Sequence, residues 1–199
     1  METLILKPGK QALSYAVKAM KKGGIIIYPT ETSYGIGADA TNARTVKKIN
    51  RIKTRKGKFI PIIVSDMKMA EKYIILNNDI KKLIKKFMPG PLTLVVKKRM
   101  KTKKLLGGFR ISSNKTAVNL ARKLGKPITA TSANISGNKP IYKISEIKKT
   151  FMGKVDLIID AGSLPKRKPS TVYDSYNKKI LRQGKIKLKE INKCLKITK

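Results

Sequence analysis

The chain has no histidine, no tryptophan, one cysteine (Cys194) and only 11 Asp and Glu among 199 residues. Without histidine, neither a Ser-His-Asp nor a Cys-His catalytic arrangement can be built from this chain, nor a zinc centre of the His/Cys type. One cysteine makes no internal disulfide, so nothing points to an oxidising compartment. The opening residues Met1-Glu2-Thr3-Leu4 lack a basic region followed by a long apolar run, and no signal peptide is predicted. No stretch approaches the roughly 18 apolar residues of a membrane helix, and the expectation is a soluble, cytoplasmic protein without a membrane partner. Chemistry is left to Lys, Arg, Ser, Thr, Asn, backbone amides or a metal that arrives on a ligand.

What the chain has in excess is positive charge. Lys and Arg number 47, a surplus of 36 over the acids. Phosphate-rich partners reward a basic face, so RNA or DNA binding is one cause to consider. A dedicated face would concentrate Arg and aromatics on one element, whereas here Lys dominates nearly every predicted helix. Compositional drift is the favoured source of most of the charge, with weak nucleic-acid affinity as a by-product, and RNA binding stays open as the other source. The hydrophobic share, 41%, is ordinary for a globular protein, and the length suits one domain with a full core, expected to span 1–199 with its centre at about 10–185.

Helical spacing predicts helices over Gln11–Lys22 (ended by Gly23-Gly24), Asn42 to about Ile52, Asp66–Tyr73, Asn78–Phe87, Lys115–Leu124 and Leu188–Leu195. A further one is expected to be capped by Ser145 and to reach about Phe151. Short apolar runs predict strands at Gly24–Tyr28, Ile60–Val64, Leu92–Val96 and Pro127–Ala130, with Phe109-Arg110-Ile111 as a strand end. Late strands are expected within 155–160, 170–173 and 180–182. Pro29 to Gly37 reads as a polar turn. Helices and strands alternate but the late strands cluster, which predicts an α/β (α+β-like) fold on one twisted mixed sheet with flanking helices.

Several strand ends deliver Ser, Thr, Asn and Gly into turns: Pro29 to Gly37, Thr131 to Gly137, and Pro169 to Thr171. Hydroxyl and amide groups so placed can bind carboxylate, ribose and phosphate oxygens, although any turn uses these residues. The segment Lys53-Thr54-Arg55-Lys56-Gly57-Lys58 enters the strand at Ile60 and suits a polyanion such as a nucleotide triphosphate. In so lysine-rich a chain the same segment also reads as a solvated turn. Neither a Gly-x-x-x-x-Gly-Lys-Ser/Thr loop nor Gly-x-Gly-x-x-Gly is present. The residues alone describe an anion-binding α/β protein.

Six segments in order add a resemblance. Tyr28-Pro-Thr-Glu-Thr-Ser-Tyr-Gly-Ile-Gly37 resembles the YPTET-x-YG-x-G signature of YrdC-like proteins. Lys53-Thr54-Arg55 resembles their K-x-R motif, Pro89-Gly90-Pro91-Leu92-Thr93 their PGP[LV]T, and Ser132-Ala133-Asn134 their S-x-N. Ser170-Thr171-Val172 is similar to their STV segment, and Leu181-Arg182-Gln183-Gly184 to their RxG close. The family so resembled is threonylcarbamoyl-AMP synthase, in its form without an extra C-terminal domain. The resemblance implies a YrdC-like fold with a concave basic cleft. It also implies a reaction in which L-threonine, bicarbonate and ATP give L-threonylcarbamoyladenylate and pyrophosphate. The product serves the machinery that transfers the threonylcarbamoyl group to the adenosine beside the anticodon of tRNA.

Carried over by motif, Lys53 and Arg55 are the expected catalytic cations. Lys53, Arg55, Lys58, Ser132, Asn134 and Arg182 are expected to bind ATP, and Thr32, Arg110, Ala130 (through its backbone) and Ser170 to bind threonine. Arg110 is expected to pair with the carboxylate. Mg2+ is expected to come on the phosphates, with no metal ligand from protein side chains. The chain departs from the family in lacking both prolines of R-P-x-x-K-P after K-x-R, in a loop one residue shorter, which bears on Lys58. Two competing expectations are a non-catalytic double-stranded RNA or tRNA binder, and a carbamoyl-adenylate-handling domain of the hydrogenase-maturation type.

Overall fold

The computed structural model describes residues 2–54, 60–96 and 106–196. The described strands form two mixed sheets, where the order of elements led to an expectation of one. The first contains β1 (Leu4–Leu6), β9 (Leu157–Ile159), β2 (Ile26–Pro29), β3 (Tyr34–Gly37) and β8 (Thr131–Ser132), in that spatial order. The second runs β11 (Lys179–Arg182), β10 (Thr171–Asp174), β5 (Leu92–Val95), β6 (Leu106–Arg110), β4 (Ile60–Ile63) and β7 (Ile128–Thr129).

The two sheets separate at a corner too short to see in the sequence. Ile128 and Thr129 pair antiparallel with Ile63 and Ile62, and two residues later Thr131 and Ser132 pair with Ile36 and Gly35 of the other sheet. Ala130 is the turning point, its N–H donating to Pro61 O at 2.7 Å. Thr129 secures the corner: its hydroxyl donates to Ile36 O at 3.0 Å and accepts from Ala38 N at 3.1 Å.

The apolar run at β2 arises because both faces of this strand are covered. Ile26 and Tyr28 point into the larger core with Ala16, Val17 and Met20 of α1 (Lys10–Lys21) and Leu120 and Ala121 of α5 (Lys115–Leu124). Ile25 and Ile27 point into a smaller core with Val46 and Ile49 of α2 (Ala43–Ile52) and Ile147 and Phe151 of α6 (Ile144–Phe151). Two further helices, α3 (Met67–Tyr73) and α4 (Asn78–Phe87), bury apolar residues in the same larger core as β4 and β5, and α7 (Leu188–Leu195) packs against α4.

Helix starts follow side-chain chemistry. The Oδ1 of Asn42 accepts from Arg44 N and Thr45 N, and that of Asn114 from Thr116 N and Ala117 N. Asn77 and Asp66 do the same for α4 and α3. The expected cap at Ser145 is not formed. The helix already begins at Ile144, preceded by Lys143 with no side-chain cap, because Ile144 packs against the smaller core and is drawn into the first turn.

Pro29–Gly37 also differs from expectation, since its second half is not turn but the strand β3. The glycines misled: they read as turn residues yet serve close packing. A Cβ on Gly37 would lie 2.7 Å from the Tyr28 ring and one on Gly35 3.1 Å from it. The Tyr28 ring lies flat over β3, and its hydroxyl donates to Thr129 O at 2.8 Å. No described helix is long and apolar enough to cross a membrane.

Candidate active site

A cleft of about 770 Å³ lies where strand ends and turns of both sheets meet. Thr32, Lys53, Arg110, Ala130, Ser132, Asn134, Ser170 and Arg182 all line it. Arg55 and Lys58, also expected at the site, lie outside the described residues. The lining side chains come from separate strand ends, the position where an open α/β sheet presents its loops.

The amino-proximal wall is the Thr30–Ser33 turn. The Thr30 hydroxyl accepts from the N–H groups of Thr32 and Ser33, each at 3.2 Å, and donates to Ser33 O at 2.7 Å. Thr30 and Thr32 both line the cleft, their hydroxyls 3.1 Å apart; Thr30 is buried and committed to the turn, whereas Thr32 is half-buried. Beside it stands Arg110 at the end of β6, whose Nη1 donates to Glu31 Oε1 at 2.8 Å, with both side chains under 10% exposed. The other Glu31 oxygen accepts from Ser112 Oγ.

Lys53 caps the carboxyl end of α2 and is only 3% exposed. Its ammonium donates to Ser132 O at 2.6 Å, Asn134 O at 2.7 Å and Asn134 Oδ1 at 2.9 Å. Its carbonyl accepts from Ser136 N at 3.0 Å. The Ser132 hydroxyl donates to Asn134 Oδ1 at 2.6 Å, and Asn134 Nδ2 donates to Asn138 O. The K-x-R lysine and the S-x-N loop are therefore one hydrogen-bonded unit before any ligand arrives. That connection is invisible in the sequence, where 79 positions separate Lys53 from Ser132.

The far wall is a clasp between the STV and RxG segments. Arg182 donates to Ser170 O from Nε (3.1 Å) and Nη2 (3.0 Å), and Nη2 also reaches Ser170 Oγ at 2.9 Å. The Ser170 and Thr93 hydroxyls are 2.9 Å apart, which gives the PGPLT threonine a place in the cleft wall that no role was assigned to. Thr171 is structural: its hydroxyl accepts from Gly184 N and Ile186 N and donates to Ile186 O. Gly184 packs so tightly that a Cβ there would lie 2.2 Å from Pro169 O. Arg182 is exposed overall, but partial desolvation and the nearby charge of Arg110 lower its pKa. It remains a cation at any ordinary pH.

Tyr34 ties a third segment to the wall, accepting from Ala161 N at 3.0 Å and donating to Gly162 O at 2.7 Å. Burial pushes its phenol up to about 12, opposed by the Ala161 bond, so it stays neutral. Tyr28 is raised further, by burial above all. Tyr142 and Arg167 also line the cleft and had no signal in the sequence. Arg167 sits in Lys166-Arg167-Lys168, one basic run among many in the chain.

The family model Sua5/YciO/YrdC, described as "Telomere recombination", matches residues 18–184. A Methanocaldococcus jannaschii protein provisionally named a threonylcarbamoyl-AMP synthase is 37% identical over 189 residues, 93% of this chain and 91% of that protein. Among solved structures, Escherichia coli YciO superposes with a TM-score of 0.82 at 28% identity, covering 96% of this chain and 98% of that one. Pyrococcus abyssi Sua5 complexed with L-threonine gives 0.85 at 29% identity, covering 97% of this chain. The chain spans 60% of the length of that Sua5. With a matched segment taking in nearly every motif on the cleft wall, the chain belongs to the Sua5/YciO/YrdC family.

Proposed function

We propose that the cleft makes L-threonylcarbamoyladenylate from L-threonine, bicarbonate and ATP, releasing pyrophosphate, in one catalytic domain. The observation that carries this reading is convergence. Side chains quoted from motifs spread between Thr32 and Arg182 line a single cleft. The 37% identity to the M. jannaschii protein over most of both chains supports it.

The chemistry asks for alignment and charge neutralisation rather than a protein nucleophile. The threonine nitrogen takes up the carbon of bicarbonate with loss of water. The resulting carbamate oxygen attacks the α-phosphorus of ATP, and the bond to the bridging oxygen breaks as pyrophosphate leaves. Thr32, Arg110, the Ala130 backbone and Ser170 form the amino-acid side, Arg110 meeting the carboxylate in a directed ion pair. Ser132, Asn134 and Arg182 face ATP, with Arg55 and Lys58 assigned to the same side. Lys53 enters through the Ser132–Asn134 loop that it already holds. With the chain's further cations, these make the cleft basic.

ATP enters as its Mg2+ complex. The polar side chains on the described lining are hydroxyls, amides and cations, and no group of three or more His, Cys, Asp or Glu able to hold a metal occurs among the described residues. Such a lining fits an ion carried on phosphate oxygens, and no step is assigned to the ion through this chain. The adenylate then passes to the cytoplasmic machinery that modifies tRNA.

The test is incubation of purified protein with ATP, Mg2+, threonine and bicarbonate, following pyrophosphate and adenylate. Formation of both that requires threonine and bicarbonate together is expected. Pyrophosphate release indifferent to either substrate refutes the reading.

A further inference from the structure

Glu31 has no part in the reading above, yet it holds one of the two buried charges of the cleft wall. It lies behind Arg110 rather than on the lining. Its Oε1 accepts from Arg110 Nη1 at 2.8 Å and its Oε2 from Ser112 Oγ, which itself accepts from Asn114 N at 3.2 Å. The turn that bears Glu31 is fastened by the Thr30 hydroxyl on either side of it. The carboxylate therefore cannot swing away without breaking several bonds, and Arg110 keeps its orientation with or without a ligand.

The pair also sets charge. Arg110 and Arg182 line the same cleft, near enough for the charge of Arg110 to disfavour protonation of Arg182. Two uncompensated guanidiniums make a strong seat for phosphate oxygens. A cleft that takes a triphosphate and an amino acid side by side needs one basic seat that the triphosphate does not prefer. A carboxylate placed behind Arg110 makes that difference. Arg110 keeps directed N–H donors suited to a single carboxylate and loses the net charge that would draw a polyanion.

We propose that Glu31 is a positioning residue that determines specificity at the amino-acid subsite, aiming Arg110 while cancelling its charge so that the subsite takes a monocarboxylate in preference to pyrophosphate or the triphosphate. The inference rests on the reading that Arg110 receives the substrate carboxylate.

The test is calorimetric binding to the unliganded full chain, with pyrophosphate and L-threonine as separate probes. Glu31→Gln keeps size and an acceptor for Arg110 and removes the charge. It is expected to bind pyrophosphate at least about tenfold more tightly than wild type, with pyrophosphate and threonine becoming mutually exclusive. Ser112→Ala loosens the carboxylate but keeps its charge, and should leave pyrophosphate affinity within about twofold. The double variant Glu31→Leu/Arg110→Leu removes a net-neutral pair and serves if the single variant does not fold. It should lose threonine binding and keep wild-type pyrophosphate affinity.

Unchanged pyrophosphate affinity in folded Glu31→Gln overturns the proposal, as does an equal gain in Ser112→Ala or a tenfold loss in the double variant. Wild-type protein that binds no threonine would instead remove the functional reading, and the pyrophosphate comparison would still decide the charge claim.

Discussion

Replacing Lys53 with Met keeps the aliphatic stem and deletes the ammonium that joins α2 to the S-x-N loop. The bonds lost include those to Ser132 O, Asn134 O and Asn134 Oδ1, from a side chain only 3% exposed. Bonds to a charged donor are worth about 1.5–3 kcal/mol each in mutational series, but they do not add. The buried ammonium also carries a desolvation cost that its removal returns. A net loss of about 2–4 kcal/mol for the loop follows, concentrated on residues 132–138 because the Lys53 carbonyl bond from Ser136 N depends on the same geometry. In hydrogen exchange on unliganded protein, the amides of Ser136 and Asn138 should lose protection by roughly 30- to 1,000-fold, since each 1.4 kcal/mol is a factor of ten. Amides in β2 and β9, on the far side of the sheet, should hardly change. Were Lys53 instead a phosphate ligand with incidental contacts, exchange without ATP would be unaltered while ATP affinity fell. Unaltered exchange refutes the reasoning.

Gly184→Ala places a Cβ 2.2 Å from Pro169 O and 2.5 Å from Thr171 N. Overpacking against backbone should cost about 1–3 kcal/mol and spoil the clasp that presents Ser170, read as a lower melting temperature together with weaker threonine binding. A melting temperature equal to wild type would refute it. Tyr173→Phe should stabilise: the Tyr173 hydroxyl is buried without a hydrogen-bond partner among the described residues, and its removal is worth about 1 kcal/mol, or roughly 2–4 °C in a chain of this size. A lowered melting temperature would point to an acceptor the structure does not hold. For pH, the Asp66 carboxyl sits below the usual value through the Met69 N–H it accepts and, next, the Ser65 hydroxyl. A depressed folded pKa adds stability that is present above the unfolded value and disappears as pH falls through the folded one. Acid titration of stability in wild type should therefore be steeper below about pH 4 than in Asp66→Asn, which keeps a cap oxygen for α3. Parallel curves would refute the assignment.

Where the sequence was legible, the reason was local. The helix starts expected at Asn42 and Asp66 held because a short acceptor side chain reaches amides two or three residues on, within one turn of chain. The periodic apolar residues of α4 and α5 pointed inward as read. Where it was not, one residue type served two physics. The glycines at 35 and 37 read as turn, although flat strand beneath an aromatic ring also forbids a Cβ. Ser145 was an acceptable cap, but burial of Ile144 moved the start back. Arg167 entered the cleft wall from a basic run that nothing in a lysine-rich sequence marks as functional.

The mixed α/β class, most element positions and the segments that turn out to line the cleft could be read along the chain, since propensity, periodicity and motif order are properties of neighbouring residues. The division into two sheets at Ala130 arises in the packed fold, because it depends on which edge each half of a five-residue stretch finds. Packing alone also gave the polar side chains their partners. Lys53 came to hold Asn134, Glu31 to balance Arg110, and Arg182 to brace Ser170 across distances of 81, 79 and 12 residues. Hydrogen bonds and charges act through space at about 3 Å, and which groups arrive at that separation is set by how the whole chain packs.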